Sequence, residues 1–223
     1  MDLQKGVCGV KVFIVGMHRS GTSMITGLLG MCGLYLGDNL KRPMRENPKG
    51  FFEDNEFVNI NKEILRQSGG KWDVPPVEIR VDAVLRGRMK AFMDKWPPDR
   101  LVGLKDPRTC LTLGEWRKVI DDEIRLVYVR RFPSEIAASL HRRNGMGYEF
   151  ARDLIVYYMD QLARNASDGD GYINTVDTHY ANYFEDWRTE LQRVCDFLRL
   201  EIPADTSAIE AFIEPRLRHH KAA

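Results

Sequence analysis

Residues 11–33, KVFIVGMHRSGTSMITGLLGMCG, restrict the fold more than any other stretch of this chain. Val12, Phe13, Ile14 and Val15 make a short apolar run. Gly16 and Gly21 bound a polar loop, and Met24, Ile25, Leu28 and Leu29 recur at helical spacing up to Gly33. The pattern predicts a buried strand, a glycine-bounded turn, and a helix that starts at Thr22 or Ser23. A helix entered through such a turn opens with N–H groups that have no intrahelical acceptor, at the positive end of its dipole. That terminus suits a phosphate.

Three more apolar runs, at 101–104, 124–129 and 172–176, are separated by helical patterns. Strands alternating with helices predict an α/β fold of four or five mostly parallel strands with helices on both faces and right-handed crossovers. The helices are expected from Asp54 or Asn55 to the Gly69-Gly70 pair, with Phe57, Ile60, Ile64 and Leu65 as the apolar stripe, and then at 82–96, 111–120, 134–143, 149–165 and 182–198. At 223 residues the chain fills one core and is short for two, so a single domain is expected over 1–223. Ligands of such sheets collect at the carboxyl ends of the strands. His18-Arg19-Ser20, Lys105-Asp106-Pro107-Arg108 and Arg130-Arg131 each follow a predicted strand, so all three clusters are expected on one rim. Residues 34–50 and 142–148 read as loops over that rim, and 214–223 as a basic tail.

Charge confines any anion site to a local feature. With 33 Lys and Arg against 32 Asp and Glu, the formal net charge is +1, which provides no global field for nucleic acid or a membrane surface. Cys8, Cys32, Cys110 and Cys195 lack metal-ligand spacing, and the expectation is buried free thiols in a reducing compartment. The apolar runs are too short to cross a bilayer, and the first five residues do not open a signal peptide, so a soluble cytoplasmic protein is expected.

The loop resembles a Walker A motif with one departure. Gly16, Gly21 and Ser23 fit the spacing, but Thr22 stands where a nucleotide triphosphatase needs Lys, and Arg19 offers the cation instead. Arg19-Ser20-Gly21-Thr22-Ser23 resembles the 5′-phosphosulfate loop of the P-loop sulfotransferases, which use 3′-phosphoadenosine 5′-phosphosulfate (PAPS), in their bacterial form. The resemblance runs from Val12 to about Leu217. It implies that Gly16, His18, Arg19, Ser20, Gly21, Thr22 and Ser23 hold the 5′-phosphosulfate. It also implies that Arg131, at a strand end, and Ser139, eight positions later, hold the 3′-phosphate, with a guanidinium and a hydroxyl as the grip. Alternation along the strand sends Arg130 to the other face. The late Arg-Lys-Gly segment of cytosolic members is missing, and Arg218, or Arg216, is the substitute.

Lys105-Asp106-Pro107 resembles the Lys-Asp-Pro segment of the tyrosylprotein sulfotransferase branch, which implies that Lys105 stabilises charge on the transferring group. Asp106 and Arg108 have a second reading, a pair that holds the turn. The family's base is either a His following Lys-Thr or a Glu after the first helix. No Lys-Thr-His occurs, and Glu53 is the expected base, set by Gly50, Phe51 and Phe52 against an apolar wall that raises its pKa. His18 is the competing base, with Asp54, as a helix cap, and Glu56 in reserve. Sulfonate carries its charge without Mg²⁺ and no Walker B carboxylate stands out, so no metal is expected. The implied reaction is sulfuryl transfer to a hydroxyl, with an amine as second choice, on a small-molecule, glycan or peptide acceptor. Phe51, Phe52, Trp72, Trp116, Tyr148 and Tyr157 are the aromatic candidates for the acceptor cleft. The alternatives are a P-loop small-molecule kinase, which leaves Thr22 and the Arg131/Ser139 pair unexplained, and a nucleotide-binding module without catalysis.

Overall fold

Each of the four apolar runs becomes a strand in the computed structural model, which describes residues 9–44, 47–167 and 171–213. The strands are β1 (Val10–Val15), β2 (Val102–Lys105), β3 (Glu123–Arg130) and β4 (Asn174–His179), and they pair in parallel in the order β2-β1-β3-β4. Side chains alternate across a strand, and β1 is buried on both sides. Phe13 and Val15 pack with Leu104 and Leu126 on one face, while Val10, Val12 and Ile14 pack with Val127, Val129 and Val176 on the other. Lys11 is the exception in this run, and its buried ammonium is answered by Asp122 at 2.8 Å.

The helices divide between the two faces. On the first lie α2 (Asn55–Gln67), α3 (Ala83–Met93), α4 (Thr109–Arg117), α5 (Pro133–Asn144) and α6 (Tyr148–Ala166). On the second lie α1 (Thr22–Met31), α7 (Trp187–Leu198) and α8 (Ser207–Phe212). The loops after β1 and β3, neighbours in the sheet, therefore leave toward opposite faces. A crevice has to open between them at the carboxyl ends of the strands.

Local sequence explains several helix ends. Asp54 caps α2, accepting from Glu56 N at 2.8 Å and Phe57 N at 2.9 Å, which contributes about 1 kcal/mol. Pro133 opens α5, and Gly145, left-handed at φ 65, closes it.

The expected helix over 182–198 is divided. Tyr180–Phe184 forms a 3-10 turn, and α7 starts only after Asp186, which caps it through Thr189 N at 3.1 Å. Glu190 imposes the break, because its carboxylate accepts from Thr178 Oγ1 at 2.7 Å, His179 N at 3.1 Å and Asn182 Nδ2 at 3.3 Å. The last strand runs Asn174–His179 where 172–176 was expected, α3 stops at Met93, and the short α8 lay outside the expectation. Cys32, Cys110 and Cys195 are free and buried. Cys8 lies outside the described residues. No helix among the described residues is long and apolar enough to cross a membrane.

Candidate active site

The crevice holds a cleft of about 540 Å³, and the residues that line it come from every strand end. His18, Arg19, Gly21, Thr22 and Ser23 come from the loop after β1 and the start of α1; Lys105, Pro107 and Arg108 follow β2, Arg131 follows β3, and Tyr180 follows β4. Lys41, Asn47, Pro48, Lys49, Gly50, Phe51 and Glu53 line it from the segment before α2, and Arg143 and Asn144 from the end of α5. Among the described residues that line it, seven are Lys or Arg and Glu53 is the sole carboxylate. In a chain of net charge +1, that concentration makes the cleft a local anion trap.

The turn into α1 is open to a ligand. Its N-cap is Gly21, left-handed at φ 97, and no side chain caps the helix. A methyl at Gly21 would meet the Tyr180 ring at 2.1 Å, and at Gly16 (φ 151) it would meet Val129 O at 2.6 Å. Both positions therefore need glycine, for conformation and for room. Arg19 is itself left-handed at φ 70, a strain of about 1–2 kcal/mol for a residue with a Cβ. Ser20 Oγ and His18 Nε2 are buried without a hydrogen-bond partner. Uncapped amides, backbone strain and orphaned polar atoms gathered in one loop are what a bound oxyanion would satisfy.

The two halves of the expected donor site are wired together through Arg19. Its Nε donates to Ser139 Oγ at 2.8 Å, and its carbonyl accepts from Arg131 Nη1 at 2.9 Å. Arg131 is held in turn by Glu135 at 2.7 Å, a nearly buried pair one helical turn apart, and by the Tyr180 ring, whose centroid is 4.6 Å from its guanidinium carbon. Burial, with Arg143 and Arg131 close by, pushes the Arg19 guanidinium down to about 10, so it remains charged at neutral pH. Arg130 faces away and pairs with Asp177 at 2.7 Å on the surface.

On the other wall Lys105 is buried and triply engaged. Its Nζ lies 2.7 Å from Glu53 Oε1 and 3.0 Å from both Ser23 Oγ and the Phe51 carbonyl. The apolar wall expected beside Glu53 is absent, and its carboxylate stands between two ammonium groups, Lys105 and, at 3.9 Å, Lys41. Phe51 has its ring under Lys41 instead, 4.1 Å from the ammonium, and Phe52, left-handed at φ 55, turns its ring onto Phe212. Glu56 pairs with Lys95 at 2.6 Å on the surface.

Asp106 and Arg108 pair through both carboxylate oxygens, at 2.8 and 2.9 Å, and Asn61 braces the pair from α2. Asn61 Nδ2 donates to Asp106 Oδ2 at 3.1 Å, while its Oδ1 accepts from Trp116 Nε1 at 2.8 Å and Thr112 Oγ1 at 2.7 Å. A polar residue inside the apolar stripe of α2 was the available sequence signal for this brace.

His18 sits between the rings of Trp72 (4.5 Å) and Tyr158 (5.9 Å). Burial, then the charges of Arg108, Arg143, Lys105 and Arg19, hold its pKa well below 6.5, so the imidazole is neutral. Of the aromatic candidates, Phe51 and Trp72 reach the cleft. Trp116 is core, Tyr157 donates to the Pro76 carbonyl at 2.8 Å, and Tyr148 stacks on His141. Lys41, Lys49, Arg143 and Asn144 line the cleft from the two segments expected over the rim, though not singled out as site residues, and Tyr180 and Phe212 line it without having been expected there. Arg216 and Arg218 lie outside the described residues, and among the described residues no group of three or more His, Cys, Asp or Glu is arranged to hold a metal ion.

Three solved structures are similar to this chain over nearly its whole length. The sulfotransferase domain from the Synechococcus PCC 7002 olefin synthase shares 14% identity at a TM-score of 0.56, covering 95% of this chain and 83% of that one. The sulfotransferase domain from the curacin biosynthetic pathway shares 14% at 0.52, covering 95% and 78%. A sulfotransferase from Alicyclobacillus acidocaldarius shares 16% at 0.50, covering 92% and 87%. At such identities the likeness speaks for the fold. No curated protein matches the sequence. The family model described as the sulfotransferase family matches residues 11–204, most of the chain, and the protein belongs to that family.

Proposed function

We propose that this enzyme transfers the sulfuryl group of PAPS to a hydroxyl, or as second choice an amine, and releases 3′-phosphoadenosine 5′-phosphate (PAP). One observation carries the reading. The buried ammonium of Lys105 touches both Glu53, 2.7 Å away, and Ser23 at 3.0 Å in the first turn of the uncapped helix α1. A charge stabiliser, a carboxylate base and an anion-binding terminus thus meet at one point.

When bound, the donor supplies an activated sulfuryl group on a phosphate leaving group. Gly21, Thr22 and Ser23 present the first-turn amides of α1 to that phosphosulfate, with Arg19 beside them. Arg131 and Ser139, joined through Arg19, hold the 3′-phosphate. Glu53 takes the acceptor's proton on Oε2 as the acceptor oxygen bonds to sulfur and the bridging S–O bond breaks, while Oε1 stays with Lys105. Lys105 neutralises charge on the sulfonate and on the departing oxygen. His18, neutral and with Nε2 unpartnered, supports a second reading in which the imidazole accepts that proton.

Buried free thiols favour the cytoplasm as the place of action. Two sulfotransferase domains of similar fold carry names from an olefin synthase and a biosynthetic pathway, which favours a small-molecule acceptor over a glycan or peptide. Calorimetric titration of PAP against ATP with Mg²⁺ is the test. Tighter binding of ATP overturns the donor assignment.

A further inference from the structure

We infer that Arg108 is a further catalytic residue, which donates from Nε and Nη2 to the oxygens of the transferring sulfuryl group. The inference deepens the function proposed above and rests on it. Arg108 follows Lys105 across Asp106 and Pro107, and both cations line the cleft while Asp106 is fully buried behind them. Nη1 of Arg108 donates to Asp106 Oδ1 at 2.8 Å and to Oδ2 at 2.9 Å. Asp106 also accepts from the Arg108 backbone N and from Asn61 Nδ2, each at 3.1 Å, and Asn61 Oδ1 accepts from Trp116 and Thr112. The polar side-chain atoms of this buried network are paired until it reaches Arg108. Among the described residues nothing accepts a hydrogen bond from Arg108 Nε or Nη2, and neither atom is sealed from solvent.

A guanidinium locked at Nη1 by a buried carboxylate offers its remaining N–H groups in a fixed direction, with little rotamer freedom left to lose on binding. Donors oriented in advance act most strongly in a site withdrawn from water. The position singles out the sulfuryl group. Glu53 and His18, the two candidate proton acceptors, line the same cleft. Burial lowers the His18 pKa most, and Arg108 is the charge that weighs next. Burial opposes the charge of Arg108, but Asp106 and then Glu53 outweigh it and raise its pKa. Whichever group takes the proton stands beside the acceptor oxygen, and that oxygen attacks sulfur. A cation close to both is therefore close to the sulfuryl oxygens, while the α1 amides, Arg19, Arg131 and Ser139 answer the donor's phosphates. In the transfer the acceptor O–S bond forms, the bridging S–O bond breaks with its electron pair leaving on PAP, and the proton goes to the base. Arg108 and Lys105 hold the non-bridging oxygens through that change.

PAPS and PAP differ only by that sulfuryl group, so titrating both by calorimetry is the test, and it needs no acceptor. In Arg108→Lys the ammonium stays with Asp106 and has no second arm to offer. PAPS is expected to bind this variant about tenfold or more weaker than wild type, the size of one charged hydrogen bond, while PAP affinity stays within about twofold. The double variant Asp106→Asn, Arg108→Gln leaves no buried charge uncompensated and is expected to show the same selective loss, which keeps the test open if Arg108→Lys does not fold. Both are read on samples with the circular dichroism of wild type. The inference is overturned if such a variant binds PAPS as wild type does, or if PAP weakens as much as PAPS, which gives Arg108 to the donor's phosphates. Wild type that binds neither compound is a separate result, and it overturns the donor assignment itself.

Discussion

Lys105 Nζ and Glu53 Oε1 are 2.7 Å apart, both side chains nearly sealed from water, and they bring the strand end after β2 against the segment that leads into α2. Two residues 52 apart in the chain thus share one buried pocket beside the turn into α1.

Glu53→Gln keeps the shape and a hydrogen bond to Lys105 but cannot take a proton. Turnover is expected to fall about 100- to 10,000-fold, with PAP affinity within about threefold of wild type because a neutral amide still satisfies Lys105. Steady-state kinetics alongside PAP titration check it. A variant turning over at half the wild-type rate would move the base to His18.

Lys105→Met strips the buried carboxylate of its closest cation. A loss of about 3 kcal/mol in denaturant unfolding is expected, together with a drop in turnover of about 100- to 1,000-fold. The double variant Lys105→Met, Glu53→Met is expected to recover most of the stability and none of the activity. That divergence separates the pair's role in folding from its role in catalysis.

Arg131 and Glu135 form the second nearly buried pair, at 2.7 Å. Arg131→Ala takes from the nearly buried Glu135 its 2.7 Å cation and is expected to cost about 3 kcal/mol or more. Ser139→Ala removes only the hydroxyl that Arg19 Nε grips at 2.8 Å, so PAP affinity should fall about tenfold or more, with a small change in stability. Calorimetry and thermal unfolding on the same samples read both quantities, and an unchanged PAP affinity in Ser139→Ala would remove that residue from the donor site.

Gly21→Ala has two costs, the left-handed backbone at φ 97 and a methyl 2.1 Å from the Tyr180 ring. Gly69→Ala has only the first, since φ is 79 and nothing stands within 4 Å. About 1–2 kcal/mol is expected for Gly69→Ala. Gly21→Ala should lose clearly more, with PAP binding abolished as Tyr180 is displaced. Equal losses in the two would mean that the ring yields freely.

His18 supplies a pH dependence with a definite sign. Its pKa is well below 6.5 in the folded protein because of burial and four nearby cations, so the unfolded chain binds the proton first as pH falls. Stability is therefore level above the ordinary imidazole pKa and declines below it. His18 therefore contributes a loss of stability that sets in near pH 6.5 and grows as pH falls further. Unfolding curves across that range, compared with His18→Gln, should show the difference, and a variant with the same slope as wild type would refute the assignment.

The sequence by itself determined the four strands, the glycine-bounded turn after the first, and the rim on which the polar clusters meet. Those features are carried by local pattern: apolar runs, glycines where a Cβ has no room, and a Pro or Asp at a helix start. Arg19, Lys105 and Arg131 were readable for the same reason, because a residue that ends a parallel strand has one direction to go. What only the tertiary structure decided lies in contacts between distant segments. Glu53 met Lys105 instead of an apolar wall, since the backbone at Phe52 turns that ring onto Phe212. Glu190 broke an expected helix by reaching back to Thr178, which let Tyr180 settle over Gly21. Arg143 and Trp72, 71 residues apart by number, lie on one wall of the cleft only after α5 and the α2–α3 segment have packed. No periodicity encodes such meetings, because the energy that selects them comes from burial and charge pairing across the folded core.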